Sequence, residues 1–284
     1  MLHSIFVSNP GLFPYPGALY AMRGLIHADG WPVDAFSTGQ QLDRSLLQVF
    51  DKPLIYSAVS ILVEMGIRDI LVIVRAGSAG RFQKVLGNGQ GWGLQFSYGI
   101  LNGDGGIGES LILAEEFVGS MNCCLISGDK VFVNTEFTDR MKDLHSMRGA
   151  TVLVRSSPDA QLGQSETGLF VLDSTVFGKI RTLETSDPGI QDVLKLYENE
   201  GMLQYEVIDE GGDGWLDVDS PQSLARANDM IEDIQRAKRK KVGCPEEVCW
   251  RHGLMDDAQL EALARLSSSR EYGSYLLDVL EGKT

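Results

Sequence analysis

At 284 residues, 43% apolar and 23% charged, the chain is long enough to bury a large core, as one α/β domain or one with an added lobe. A net charge of −14 argues against a nucleic-acid partner, because phosphate backbones need a basic surface, and any bound polyphosphate would depend on a local cationic cluster or a metal. No run reaches the ~18 apolar residues of a membrane span, and MLHSIFVSNP lacks the basic and long apolar regions of a secretory signal. The expectation is a cytoplasmic protein with no membrane and no nucleic-acid contact, and four cysteines, of which Cys244 and Cys249 make a C-x4-C pair with no second pair nearby, are consistent with that.

In chain order, SIFV (4–7) reads as a first strand. SNPGLFPYPGALY (8–20) follows, with three prolines and no basic residue before Arg23. Ile55, Val59, Ile61, Leu62 and Met65 fall near helical spacing, with Pro53 suited to the first helical position and Gly66 to the C-cap. ILVIV (70–74) and CCLIS (123–127) are apolar runs of buried-strand length, and the second ends in Gly128-Asp129. A carboxylate at the carboxyl end of a buried strand lies where open α/β sheets bind ligands. GNGQGWG (87–93) reads as a chain reversal, since it does not join a strand to a helix as a phosphate loop does. TVLVR (151–155) and TGLFVLD (167–173) are two strands with a short link. QYEVID (204–209) is another strand, and residues 225–242 form a long helix whose basic end, Arg236 to Lys241, compensates its dipole. Asp219 or Ser220 is suited to cap that helix, and 256–266 and 272–280 make short amphipathic helices. His3, His27, His145 and His252 share no metal spacing.

Several stretches together resemble the glucose-1-phosphate thymidylyltransferases, a branch of the sugar-nucleotidyltransferases. They are LLQVFDKPLIY (46–56), MGIRDILVI (65–73), RFQKVLGNGQGWGLQFSY (81–98), ESLILAEEFVG (109–119), ISGD (126–129), TGLFVLD, WLDVDSPQSL (215–224) and VGCPEEVCWRHG (242–253), in the family's order. The resemblance implies a Rossmann-like, doubly wound mixed α/β sheet over residues 1–241, with a helical C-terminal cap over 242–284. It also implies a nucleotide or sugar-phosphate ligand, a nucleotide-sugar pathway, and a homo-oligomer or a hetero-oligomer with a related protein.

Residue by residue, the resemblance implies that Asp129 and Asp217 hold Mg²⁺ in a working enzyme, with Lys130 where asparagine is usual and able to stand in for the ion. Arg44 falls where a phosphate-binding lysine is expected. Gly106, Leu101 and Glu109 fall on the base-recognition loop, where Leu101 replaces a glutamine and leaves the base edge unpaired, at about 1–3 kcal/mol per polar group. Thr167 and Gly168 are what remains of the sugar side, whose long connecting segment is reduced to SSPDAQLGQSE (156–166). Residues 8–43 read as a divergent insert replacing a glycine-rich phosphate loop. Transfer needs charge neutralisation at the triphosphate, the metal and the sugar phosphate. The expectation is therefore a degenerate relative acting by binding or assembly. An active Mg²⁺-dependent enzyme releasing pyrophosphate, and an enzyme with an altered substrate, are the alternatives.

Overall fold

The structure, a computed structural model, describes residues 22–28, 43–101, 106–133, 135–156, 164–185, 188–208 and 214–283. In the first half lie β1 (Arg23–His27), β2 (Gln48–Val49), β3 (Lys52–Pro53), α1 (Ile55–Glu64), β4 (Asp69–Arg75), α2 (Ala79–Leu86), β5 (Gln95–Leu101), α3 (Ile107–Val118), β6 (Cys123–Ser127), β7 (Lys130–Phe132) and α4 (Phe137–Lys142). The second half gives β8 (Ala150–Ser156), β9 (Gln164–Leu172), α5 (Val176–Arg181), α6 (Ile190–Asn199), β10 (Leu203–Val207), β11 (Trp215–Asp217) and α7 (Pro221–Lys238). It ends in α8 (Pro245–Arg251), α9 (Asp257–Leu266) and α10 (Arg270–Leu280).

Seven strands form one sheet in the order β10-β8-β9-β6-β1-β4-β5. All neighbours are parallel except β9, which runs antiparallel to both β6 and β8. The central strands are apolar on both faces, as strands covered on both sides must be. Leu25, Leu71, Ile73, Cys123 and Leu125 face α3, α5 and α6. Ile26, Val72, Cys124 and Ile126 face α1, α2, α4 and the three C-terminal helices. A third, smaller core joins α7 to the β2–β3 and β7–β11 ribbons through Val49, Val131, Ala227 and Ile231.

Two expectations are corrected. The strand that fills the centre of the sheet, between β6 and β4, is Arg23–His27 and not SIFV. SIFV lies outside the described residues, and the stretch read as an insert contains β1. The strand hides in the sequence because Gly24 interrupts its apolar run between two polar ends. Glycine suits the close packing there, since a Cβ at Gly24 would lie about 3.0 Å from the side chains of Leu62 in α1 and of Ile67 just after it. Pro53 is the second correction: it closes β3, and α1 begins at Ile55 behind Leu54.

The C-terminal helices are fastened by buried polar contacts. The Tyr272 hydroxyl donates to Glu246 at 2.7 Å and lies 3.1 Å from the Cys244 sulfur. Burial raises Glu246 above the ordinary carboxylate value, even though Tyr272 opposes the shift. Lys52 is buried, pairs with Asp51 and sits over the Tyr272 ring, as does Lys241 from the basic run after α7. Both lysines are therefore structural cations. Among the described residues no helix is long and apolar enough to cross a membrane.

Candidate functional site

The carboxyl ends of β1, β4 and β6 meet at one edge of the sheet, and the backbone ties them together. The Gly128 amide donates to the His27 carbonyl at 2.9 Å, and the Ala28 amide to Ile73 at 2.9 Å. Gly128 also admits the 3-10 turn Arg44–Leu46, because a Cβ there would meet the Ser45 hydroxyl at 2.8 Å. That close approach sets Arg44 beside Asp129, the residue just past the end of β6. Arg44 Nη1 donates to Asp129 Oδ2 at 2.9 Å. The turn is itself anchored through Asp43, which accepts from the Ser78 hydroxyl at 2.7 Å and from Arg81 Nε at 2.6 Å.

Asp217 reaches the same place by a different route. β7 and β11 form an antiparallel ribbon in which Asp217 is the direct partner of Lys130. Lys130 Nζ stands 2.6 Å from Asp217 Oδ1 and 3.2 Å from Asp129 Oδ1. Charge and distance join these groups, since neither contact has the directionality of a hydrogen bond. Gly168 borders the lysine at φ +83°: a Cβ there would press on the Ser127 hydroxyl at 2.9 Å and come into ordinary contact with Lys130 Cε at 3.4 Å. The side chains of Arg44, Asp129 and Lys130 are only 15%, 13% and 14% exposed, against 37% for Asp217. Three of the four charges are thus largely removed from water, where their mutual attraction is strong.

Below this cluster, His27 Nδ1 lies 2.8 Å from the hydroxyl of Ser110, which also contacts the Gly106 carbonyl at 3.2 Å. If the serine hydroxyl donates to that carbonyl, the Nδ1–H donates to serine, an assignment made from the hydrogen-bond network. Burial pushes the imidazole down to about 4; the Asp129 carboxylate opposes this, while Arg75 and Lys130 add to it. His27 is therefore neutral at pH 7. It is the site residue that sequence reasoning passed over, because metal spacing was the wrong test and β1 had been placed elsewhere.

The other sequence candidates divide by position. Gly106 is the N-cap of α3, and Glu109 lies in its first turn, half-buried, where a carboxylate suits the positive end of the helix. Gly108, in the same turn, lies so close to the Pro188 carbonyl that a Cβ would sit 1.9 Å from it. Leu101 ends β5 fully buried in the core with Leu71 and Ile73, and presents no polar atom. Thr167 is fully buried, its hydroxyl donating to the Leu153 carbonyl at 2.9 Å and its own carbonyl accepting from Trp215 Nε1 at 2.9 Å. The structure thus brings Arg44, Asp129, Asp217 and Gly168 together around Lys130, links Gly106 to them through Ser110 and His27, and buries Leu101 and Thr167 in packing.

Mg²⁺ demands near-octahedral oxygen ligands at about 2.0–2.1 Å. Here the Oδ1 atoms of both aspartates face an ammonium, and the second oxygen of Asp129 faces a guanidinium. Among the described residues no group of three or more His, Cys, Asp or Glu is placed to hold a metal. The residues present do not fit the ion.

The mixed, mainly parallel sheet is shared with solved nucleotidyltransferases. Residues 39–164 match the family model described as nucleotidyl transferase. The chain is 31% identical to the glucose-1-phosphate thymidylyltransferase of Neisseria meningitidis over 92% of its own length and all of the relative's. It is likewise 31% identical to that of Mycolicibacterium smegmatis, over 92% of this chain and 99% of the other. The chain belongs to the glucose-1-phosphate thymidylyltransferase family. In structure it is similar to a Bacillus anthracis protein carrying that family name and crystallised with a sucrose, at a TM-score of 0.68 and 29% identity, covering 75% of this chain and 96% of the other. The inositol-1-phosphate CTP transferase of T. maritima shares the fold at a TM-score of 0.62 and 18% identity, covering 76% of this chain and 97% of the other.

Proposed function

We propose that this chain no longer transfers nucleotides and acts by binding or assembly in nucleotide-sugar biosynthesis, alone as an oligomer or with a related, competent subunit. The observation that carries the reading is the position of β1. With β1 at Arg23–His27, the segment leading from the sheet edge to Arg44 is residues 28–43. It contains no lysine or arginine, and it contains Asp29, Asp34 and Asp43. A triphosphate cradle in this fold would hold its ligand with backbone N–H groups and cations; Asp43 is already paired with Arg81, and the carboxylates of Asp29 and Asp34 with Pro32 oppose both. The short link between β8 and β9 supports the same reading on the sugar side. Loss of a single well-placed donor typically costs 10²–10³-fold in rate, and here several are missing at once.

The test is pyrophosphate release by the purified protein with Mg²⁺, over a panel of nucleoside triphosphates and sugar 1-phosphates, with binding followed by calorimetry. No turnover with any pair is expected. Turnover with any of them overturns the reading in favour of an active sugar-1-phosphate nucleotidyltransferase.

A further inference from the structure

We infer that Lys130 is a built-in cation that occupies the place of a divalent ion, so that this site works without metal, and that a metal site lies latent beneath it. The inference rests on the same site as the reading above and deepens it, but the two can fail separately.

The argument begins with position. An ion shared by Asp129 and Asp217 would have to lie close to an oxygen of each. The nearest such place is where Lys130 Nζ stands, 3.2 Å from Asp129 Oδ1 and 2.6 Å from Asp217 Oδ1. The lysine is not a surface side chain folded in by chance. β-ribbon register sets it opposite Asp217. Arg44 takes the oxygen of Asp129 that Lys130 does not, so that carboxylate is neutralised on both sides. A doubly charged ion entering here would meet an ammonium and a guanidinium at a few ångströms in a largely dehydrated site, which opposes entry strongly. Removing the lysine shifts the balance: with Arg44 still on Asp129 Oδ2, the Oδ1 atoms of Asp129 and Asp217 are left without their shared cation, and carboxylate oxygen is the preferred donor of hard cations. A phosphate-bearing ligand that binds at this edge would accordingly do so with Lys130 and Arg44 as its counter-charges, and a chelator would leave its binding unchanged.

Mn²⁺ alone is the probe, followed by electron paramagnetic resonance and calorimetry on the full-length wild type, Lys130→Ala, Lys130→Met and Lys130→Ala/Asp217→Asn. The expected result is no stoichiometric Mn²⁺ site in the wild type, and one site per chain in Lys130→Ala that is at least about 100-fold tighter than any wild-type binding. The second substitution should abolish that site. Lys130→Met keeps the stem while removing the charge, and decides the matter if the alanine variant does not fold. The inference is overturned if folded lysine variants gain no site. It is equally overturned if the wild type binds one Mn²⁺ that Asp217→Asn removes, a result that needs no lysine variant. Nucleotide transfer without a carboxylate-bound Mn²⁺ would refute the proposed function and leave this inference standing. Mn²⁺ bound by the wild-type aspartates without transfer would do the reverse.

Discussion

His27 gives the sharpest prediction. It is a buried histidine, and burial, opposed by Asp129 and reinforced by Arg75 and Lys130, holds it to about 4 against an ordinary 6.5. Between these values an unfolded chain takes up a proton that the folded chain refuses. Stability should therefore fall as the pH drops from about 6.5 to about 4, and the histidine should contribute no further loss below that. The difference between the two values corresponds to about 3 kcal/mol at 1.36 kcal/mol per pH unit. His27→Gln keeps an amide donor for Ser110 but cannot titrate in this range. At pH 7 the variant should be slightly less stable than the wild type, by about 1 kcal/mol for an imperfect hydrogen bond. Moving to pH 4, the wild type should lose about 3 kcal/mol more than the variant, so that their stabilities cross; in melting temperature the relative shift is about 5 °C for a chain of this size. Urea unfolding of both proteins at half-unit steps from pH 4 to 7.5 measures the difference directly and cancels the acid response of every other group. Parallel curves would refute the reasoning, and would mean that His27 accepts a proton in the folded chain as easily as in the unfolded one.

Other substitutions probe the supports of the site. Gly168→Ala places a Cβ at positive φ and 2.9 Å from the Ser127 hydroxyl. It should cost about 1–3 kcal/mol in chemical denaturation, and an unchanged midpoint would show that the strand yields there. Asp173 accepts hydrogen bonds from the Gly149 amide at 2.7 Å, from the Thr175 hydroxyl and amide at 2.5 and 3.1 Å, and from the Tyr197 hydroxyl at 2.8 Å. Burial pushes this carboxyl up, but the hydrogen bonds together outweigh it and hold the group below its ordinary value. Asp173→Ala should lower stability at pH 7 by about 3–5 kcal/mol, since buried donors are left unpaired at about 1–3 kcal/mol each. The difference from the wild type should shrink in strong acid, because a depressed carboxylate stabilises only above its folded value; a difference that stays constant down to pH 2 would contradict the assignment.

Much of the sheet was legible because its strands are continuous apolar runs of the right length. ILVIV falls inside β4, and CCLIS coincides with β6. The helix over 55–64 was legible from its periodicity, and Gly66, at φ +80°, ends it as expected. Ser220 caps α7 through the Ser223 amide at 3.1 Å, one of the two residues expected to do so. β1 was not legible, for a physical reason: in a central strand of a sheet, packing selects residues by the space available and not by pattern. A glycine under α1 and a histidine at the site edge therefore make a poor strand signature. Asp129 was legible from its place at the end of an apolar strand, and Asp217 from the resemblance to the family. Their actual partner, Lys130, could be named from sequence, but its geometry depended on a ribbon register that no local pattern encodes.

That register also bears on the order in which the molecule assembles. Lys130 follows β6 directly, whereas Asp217 arrives only after β8, β9, α5, α6 and β10 have been laid down in sequence. Joining them closes a long loop, whose entropy must be overcome before the ion pair returns anything. The pair is therefore expected to be absent at the folding barrier and present only in the finished structure. Weakening it with Asp217→Asn should hasten unfolding while leaving the folding rate nearly untouched. On that view the contact that fills the old cation position also works as a late latch, setting how long the native state lasts once formed.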